Sequence, residues 1–537
     1  MNNLRVLMKR RDFLRTCAML GAGSVAGKII AEEKTSKSCR IFNLSISPEA
    51  LDNDPELLKV VYDSGVTDLW LSGFHYGYWY FSIEQIDSWR KRIQKMGMNA
   101  HIINIPLGHP GNTLGVEEGK LPWKTPNHWK PGVNPDGSTF SGTSLHSPAT
   151  EENVQAIQKL RKIGVKKIFL DDDFRLAKGP GIIGGCFCEE HQQQFLNIYG
   201  YCEVCWMEML YSIEERKLTS FLSNWINFTC DQLTASFKAQ QAAAPDMKLG
   251  IMVMYLGAEK AGIRLTDYKG HQMRVGELMF NDESFNPVKS KTNELFSSLF
   301  HRRFVSPDLA YSETTAYPAD RLSARNMAAK LSVSLISDVR NTMFMSGGKA
   351  FPRNHWQTLA PAMKKSSALH TKIAGHKPRG PFKHYWGENS RLVGDDNPYS
   401  IFLASGVPFE VTENPADDGW TFLSNFDAQA VASGSLKSKG TSFIFRPESP
   451  VKLKDGRAVP ESMEGIFAFK REIMPKLKAV PFVLEETPVV CAWYPKANSV
   501  LLWNLSENAQ KLTVKFKETQ RSVTVDGLDV ELLENIK

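Results

Sequence analysis

Eight short apolar segments alternate with helical segments between residues 40 and 376, and this alternation limits the fold more than any other feature. In chain order the segments are RIFNLSISP, VTDLWLSGF, MNAHIINIP, VKKIFLDDD, MKLGIMVMY, MRVGELMF, DLAYSETTAY and NTMFMSGG. Strands that alternate with helices predict a parallel sheet with right-handed crossovers. Eight such units favour a closed (β/α)8 TIM barrel over an open sheet.

The composition changes after Gly375, which predicts two further domains. The region 377–480 contains mixed helical and strand patterns and predicts a small α/β domain. The tail 481–537 contains the strand-like segments TPVVCAWYP, SVLLWNLS and KLTVKFK. Their spacing predicts a small C-terminal antiparallel β domain. The barrel therefore occupies 40–376.

The N-terminus carries paired arginines, Arg10 and Arg11, before the weakly apolar stretch TCAMLGAGSVAG. This pattern is typical of a twin-arginine export signal. A basic amphipathic helix is the alternative, although the glycines make that stretch a poor helix. We therefore expect a signal peptide over 1–31 and a periplasmic or cell-envelope location.

The net charge of the chain does not predict binding to nucleic acid. The formal net charge is +7, and removal of residues 1–31 lowers it to about +2, which is nearly neutral. There is also no run of about 18 uncharged apolar residues, so no membrane-spanning helix is expected.

Two sets of carboxylates are predicted to face each other across the barrel mouth, where the strands end and active sites form. Asp171–Asp173 follow the fourth predicted strand, and Glu313 lies in the seventh. An acid and a carboxylate about 5–5.5 Å apart are what retaining glycoside hydrolysis needs. The alternative is structural salt bridging, from Asp173 to Arg175 and from Glu313 to Arg321.

Further polar and aromatic residues follow the same strand ends. We expect sugar contacts there, because aromatic rings stack on sugar faces. The alternative is packing in the barrel core for the histidines and aromatics, and a solvated loop for Glu283. The candidates are His75, Tyr76, Trp79, His109, Arg175 and Glu283.

Two cysteines and a histidine lie within six residues of one another: Cys186, Cys188 and His191. Cysteine and histidine are the ligands that structural zinc prefers, and clustering of this kind is more typical of a metal than of a disulfide framework. A second pair, Cys202 and Cys205, either competes for this role or packs on a helix. We predict a structural zinc and no organic cofactor.

The chain resembles the β-galactosidase-like glycoside hydrolases of clan A, particularly family 42. Asp171-Asp172-Asp173-Phe174 stands where that family has Asp-Asn-Glu-Tyr, and a Cys-x-Cys-x-x-His run stands where it has Cys-x-Cys-x-x-Cys. The resemblance implies that Asp173 is the acid/base and Glu313 the nucleophile. It also implies His146 as the fourth zinc ligand and a homo-trimer built through the α/β domain.

The Asp172-Asp173 pair departs from the Asn-Glu signature of the clan. Asp173 is one methylene shorter than Glu, and Asp172 is expected to contact the 2-hydroxyl of a sugar differently from Asn. The substrate therefore stays open between a β-galactoside, a β-mannoside and a β-glucoside, in an oligo- or polysaccharide. Two other readings also stay open: a metal-dependent hydrolase or isomerase that uses the acid cluster, and a non-catalytic carbohydrate-binding relative.

Overall fold

A computed structural model gives the structure of the protein. The residues that it describes are 40–108, 126–171, 174–179, 181–253, 256–276, 278–437, 442–453 and 456–536. The predicted signal peptide, His109, Asp172 and Asp173 lie outside the described residues.

Eight parallel strands close into a barrel, which confirms the predicted (β/α)8 fold. The first strand pairs with the second on one side and with the eighth on the other, through Asn43 with Asp68 and Ile41 with Asn341. Each predicted segment overlaps one observed strand. The first to eighth barrel strands are Ile41–Ile46, Asp68–His75, Asn99–Ile105, Lys167–Leu170, Lys248–Val253, Gln272–Val275, Ala310–Thr315 and Asn341–Met345.

Helices cover the outside of the barrel, and Ile83–Lys95 shows why these segments are helical. Ser82 caps the start of this helix by accepting a hydrogen bond from the Gln85 amide. Ile86, Trp89 and Ile93 recur at helical spacing and are buried. The other barrel helices are Pro48–Asn53, Leu57–Asp63, Ala149–Lys162, Glu189–Tyr199, Glu203–Glu214, Ser220–Ala243, Asp282–Phe285, Val288–His301, Ala324–Ile336 and His355–Ile373.

The described part of the barrel departs from a regular repeat in three places. An antiparallel hairpin, Pro131–Val133 and Thr139–Thr143, precedes the helix Ala149–Lys162. Three helices stand between the fourth and fifth strands, and they build a core of their own around Phe195, Trp206 and Trp225. Between the fifth and sixth strands, the described chain forms two short 3-10 turns, Glu259–Ala261 and Leu265–Tyr268. The long connection after the fourth strand is the one that carries the predicted metal ligands.

The α/β domain has a five-stranded parallel sheet. Counted along the chain, its strands stand in the order second, first, third, fourth, fifth. The helices Glu388–Val393, Asn425–Ala432 and Met463–Ile473 accompany the sheet. The strands are Phe382–Tyr385, Phe409–Thr412, Trp420–Phe422, Phe443–Phe445 and Gly456–Ala458.

The C-terminal region folds into two three-stranded antiparallel sheets. One sheet contains Phe482–Val483, Gln510–Phe516 and Thr519–Val525, and the other contains Val489–Tyr494, Ser499–Asn504 and Val530–Glu534. With the barrel and the α/β sheet, these sheets complete the predicted fold class. None of the described helices has the length and apolar character needed to cross a membrane.

Candidate active site

A buried ion triad joins three barrel strands. Arg274, on the sixth strand, contacts Asp171 through Nη2 and lies 2.9 Å from Glu313 Oε2 through Nε. All three residues are at most 2% exposed. Asp171 directly follows the fourth strand and Glu313 lies within the seventh. One guanidinium therefore holds carboxylates from both strands that the sequence singled out.

The electrostatics of the triad are those of a buried group with excess negative charge. Burial raises the pKa of Glu313, and the nearby Asp171 raises it further, whereas Arg274 and the Thr315 hydroxyl act in the opposite direction. With both carboxylates ionised, two negative charges face one positive charge. A site of this kind favours positive charge that develops close to Glu313.

An aromatic layer inside the barrel fixes the triad in place. The Arg274 guanidinium lies 5.4 Å from the ring centre of Phe169. Phe169 in turn contacts Trp70 and Tyr311, with ring centres 4.6 and 4.9 Å away. Side chains alternate along a strand, so Phe169 and Asp171 share the inner face, as Tyr311 and Glu313 do. The packed layer leaves Arg274 little freedom to move.

The partner of Glu313 is Arg274 and not Arg321, which the sequence offered as the alternative. Sequence reasoning missed Arg274, although a signal was present. An arginine within the short apolar strand Gln272–Val275 is as costly to bury without a partner as the carboxylate of Glu313. The same argument that selected Glu313 therefore also selects Arg274.

The predicted sugar contacts from the second strand are buried rather than open. His75 is 5% exposed, its Nε2 lies 3.2 Å from the Ile103 carbonyl, and burial lowers its pKa to about 4. Tyr76 is buried in the barrel interior beside Phe169. Both residues lie at the strand end predicted, but they serve first as walls of the barrel interior.

The other predicted contacts are distributed differently. Trp79 packs on Phe74 at 5.2 Å and beneath Lys159, so its ring helps to join a strand to a helix. Arg175 is buried and donates to the Ala177 carbonyl in its own loop. Glu283 is exposed on the short helix Asp282–Phe285. Direct evidence of sugar contact is absent for these three described residues.

The second predicted site is a cysteine-histidine cluster. Cys188 Sγ lies 3.2 Å from His146 Nε2 and 3.3 Å from His191 Nδ1, and the candidate donor atoms of these three residues all lie within 4.8 Å of one another. Ligand atoms around a tetrahedral zinc stand about 3.5 Å apart. A side-chain hydrogen bond to the Cys186 thiol lowers the pKa of Cys188 more than any other contact does. The structure therefore brings together the donor atoms of three predicted ligands, Cys188, His146 and His191, while the fourth, Cys186, contacts Cys188 without joining that group.

The local structure explains the Cys-x-x-His spacing. Cys188 is the N-cap residue of the helix Glu189–Tyr199, and His191 is the third residue of that helix. Residues three apart at the start of a helix lie on the same side of its first turn, so the Cys188 and His191 side chains can meet. His146 approaches from the turn before Ala149–Lys162 and stacks on the His191 ring at 4.3 Å. This donor set of sulfur and imidazole nitrogen fits zinc.

The barrel, the parallel sheet and the antiparallel sheets together form an architecture that solved β-galactosidases also have. No protein-family profile and no curated protein matches the sequence. Three solved β-galactosidases share the fold over 92% of this chain. They are the cold-adapted enzyme from Rahnella sp. R3 (12% identity, TM-score 0.56, 98% of that chain), the polyextremophilic enzyme from the Antarctic haloarchaeon Halorubrum lacusprofundi (11%, 0.61, 99%) and the enzyme from the psychrophilic Marinomonas ef1 (10%, 0.54, 99%).

Proposed function

We propose that this chain is a retaining glycoside hydrolase that cleaves a β-linked sugar, with Glu313 as the nucleophile and Asp173 as the acid/base. The observation that carries the proposal is the triad. In it, Arg274 contacts both Glu313 and Asp171, and so keeps Glu313 close to the carboxylate that follows the fourth strand. The likeness in fold to three β-galactosidases supports the same class of reaction and makes β-galactosides the first substrates to test.

Each charged group has a part in this mechanism. A Glu313 oxygen attacks the anomeric carbon while Asp173 protonates the departing glycosidic oxygen. Water then attacks the anomeric carbon of the glycosyl-enzyme ester, Asp173 removes a proton from that water, and the bond to the Glu313 oxygen breaks. Burial raises the pKa of Glu313, and Arg274 acts in the opposite direction, so its charge favours the ionised form of the nucleophile. The excess negative charge of the triad stabilises the oxocarbenium-like transition state.

The triad weighs against the reading in which the acid cluster holds a divalent ion. Asp171 and Glu313 both contact the Arg274 guanidinium, so a permanent positive group already stands between them. A dication added there would face that charge at close range.

A panel of aryl-β-glycosides tests the proposal on the wild type, Glu313→Gln and Asp173→Asn. We expect each substitution to lower kcat at least about a hundredfold while the fold persists, because removal of a catalytic group typically costs this much. Glu151→Gln, an exposed acid on a barrel helix, is the matched control and should keep full activity.

Covalent trapping with a 2-fluoro-β-galactoside separates the readings. Label recovered on the peptide that contains Glu313 supports the retaining mechanism. Label on another acid, or sugar binding without turnover on any glycoside, would overturn it, whereas EDTA alone does not discriminate because it would also remove the proposed zinc beside the Asp173 loop.

We further propose that Cys186, Cys188, His191 and His146 hold a structural zinc. Its binding would fix the loop that follows the fourth strand and carries Asp173. The close approach of Cys188 to His146 and to His191, and its contact with Cys186, support this. Export through the twin-arginine signal and assembly into a homo-trimer are also part of the proposal. A sedimentation-equilibrium mass near that of one chain would exclude the trimer.

A further inference from the structure

The Cys202–Cys205 pair is a second thiol site that the glycosidase chemistry does not use. Cys202 is the N-cap residue of the helix Glu203–Glu214, and Cys205 is its third residue. This is the same pair of positions that Cys188 and His191 take at the preceding helix. The two sulfur atoms lie 3.4 Å apart, and both thiols are free.

The pair is accessible from solvent. Cys202 is exposed and Cys205 is half-buried. The apolar side chains nearby in the sequence are also open, since Ile198, Val204 and Met207 are 65%, 69% and 61% exposed. Cys230 and Cys491, in contrast, are buried and have raised pKa values because of burial. A reactant as large as a tripeptide disulfide can therefore reach Cys202.

The two cysteines differ in reactivity for structural reasons. The Cys205 amide and the Cys205 thiol lower the pKa of Cys202, since both place a donor beside its sulfur at the start of a helix. The attacking species in thiol-disulfide exchange is the thiolate, and a second thiol at close range can displace the first adduct. We therefore expect Cys202 to be the attacking thiol and Cys205 the thiol that displaces the first adduct.

We propose that Cys202 and Cys205 form a redox-active dithiol that exchanges with small-molecule disulfides. The Cys202 thiolate attacks one sulfur of R–S–S–R, forming a mixed disulfide and releasing one thiolate, which takes up the proton that Cys202 lost. Cys205 then loses its proton and attacks Cys202 Sγ, expelling the second RSH. The protein is oxidised by two electrons to an intramolecular disulfide, and the external disulfide is reduced to two thiols.

The test uses the folded full-length protein with oxidised glutathione, an acid quench, differential alkylation and peptide mass spectrometry. In the wild type we expect a disulfide between Cys202 and Cys205 without a lasting glutathione adduct. In Cys205→Ser, glutathione should stay on Cys202. In Cys202→Ser, adduct formation on Cys205 should be about tenfold slower, because Cys205 is half-buried whereas Cys202 is exposed.

The buried Cys230 and Cys491 serve as internal controls and should remain reduced. Three results would overturn the proposal. The first is a lasting glutathione adduct in the wild type, because it would show that Cys205 does not resolve it. The second is equal reactivity of the two single variants. The third is protection of both thiols from glutathione that is lost when a chelator is added. This result would show that the pair binds a metal.

Discussion

Arg274 is the residue on which the proposed chemistry depends most, because it contacts the carboxylate of the proposed nucleophile. Its planar guanidinium contacts two carboxylates at once, a geometry that the single ammonium of lysine cannot reproduce. Glu313 must be ionised to attack a sugar, while its burial favours the protonated form. Arg274 is therefore a positioning residue that also sets the charge of the nucleophile.

Substitution of Arg274 should act on stability and on pH dependence together. Arg274→Met leaves two buried carboxylates without their partner, so we expect a loss of about 3–5 kcal/mol in the free energy of unfolding. Arg274→Lys keeps the positive charge but loses the planar guanidinium that contacts both carboxylates. The pKa of Glu313 should then rise further, moving the acid limb of the kcat/KM profile to higher pH. Urea unfolding and pH-rate profiles measure the two effects.

Arg264 provides the matched control for this experiment. It also pairs with two acids, Asp231 and Asp267, but it is 31% exposed on a surface network. Arg264→Met should cost at most about 1 kcal/mol and leave the pH profile unchanged. An unchanged profile in Arg274→Lys would contradict the positioning role.

The buried His384, in the α/β sheet, should make the free energy of unfolding depend on pH in acid. It is 1% exposed, stacks on Phe422, and burial lowers its pKa from 6.5 to about 3. Below pH 6.5 the unfolded chain binds a proton at this site and the native protein does not. Stability is therefore lost as the pH falls, by about 2.5 kcal/mol between pH 7 and pH 4.5.

His384→Gln should reduce that loss, as the variant has no group to titrate there. The measured quantity is the difference in unfolding free energy between pH 7 and pH 4.5, from urea titrations. His376→Gln, at a half-buried histidine between the barrel and the α/β sheet, is the comparison and should behave like the wild type. Equal pH dependence in His384→Gln and the wild type would refute the assignment.

At the scale of elements, the loop after the fourth strand shows where sequence reasoning succeeds and where it stops. The strand pattern of VKKIFLDDD and the helix after Cys188 were both predictable. The Cys-x-x-His spacing follows a local rule, because residues three apart at the start of a helix lie on the same side of its first turn. The contact of Asp171 with Arg274 depends on the register between the fourth and sixth strands, 103 residues apart. No local pattern encodes that distance.

The proposed zinc should stabilise this loop measurably. A metal that binds the native state stabilises it by about 4 kcal/mol at a free concentration a thousand times Kd. Chelation, or Cys188→Ser, should therefore lower the thermal midpoint, and added zinc should restore only the chelated wild type. Metal content per chain and differential scanning calorimetry provide the measurements.

Cys202→Ser is the matched control for the zinc experiment, because that thiol lies on the next helix, outside the cluster. It should retain one zinc per chain and the same response to chelator as the wild type. Purified protein that lacks zinc and takes up none on addition would refute the metal assignment.

At the scale of the whole molecule, the alternation of apolar and helical segments predicted the barrel because each βα unit is a local pattern. The order of the strands in the α/β sheet was not predictable in the same way. That sheet places its second strand outside the first, so the connection from its second strand to its third reverses direction and crosses the first. The order of the strands depends on which strand edges remain free to pair as the sheet forms. No local pattern in a single sequence indicates this.

The export signal and the cysteine chemistry make a joint prediction about the folded state in transit. Cys186 and Cys188 are two residues apart and would be open to oxidation in an unfolded chain that entered an oxidising compartment. A chain that folds and loads its zinc before transport protects both thiols. The twin-arginine pattern suits that order of events, and it leaves the exposed Cys202 and Cys205 to meet external disulfides afterwards.

Cell fractionation of a bacterium that expresses the full-length chain tests this order. The wild type should appear in the periplasm with zinc bound and Cys186 and Cys188 reduced. Arg10→Lys combined with Arg11→Lys keeps the charge and should hold the folded, zinc-loaded protein in the cytoplasm, because the pair itself is the recognised feature. Arg15→Lys, outside the pair, should be exported normally. Continued export of the double variant would refute the twin-arginine route, whereas oxidised Cys186 and Cys188 in the exported wild type would refute folding and loading before transport.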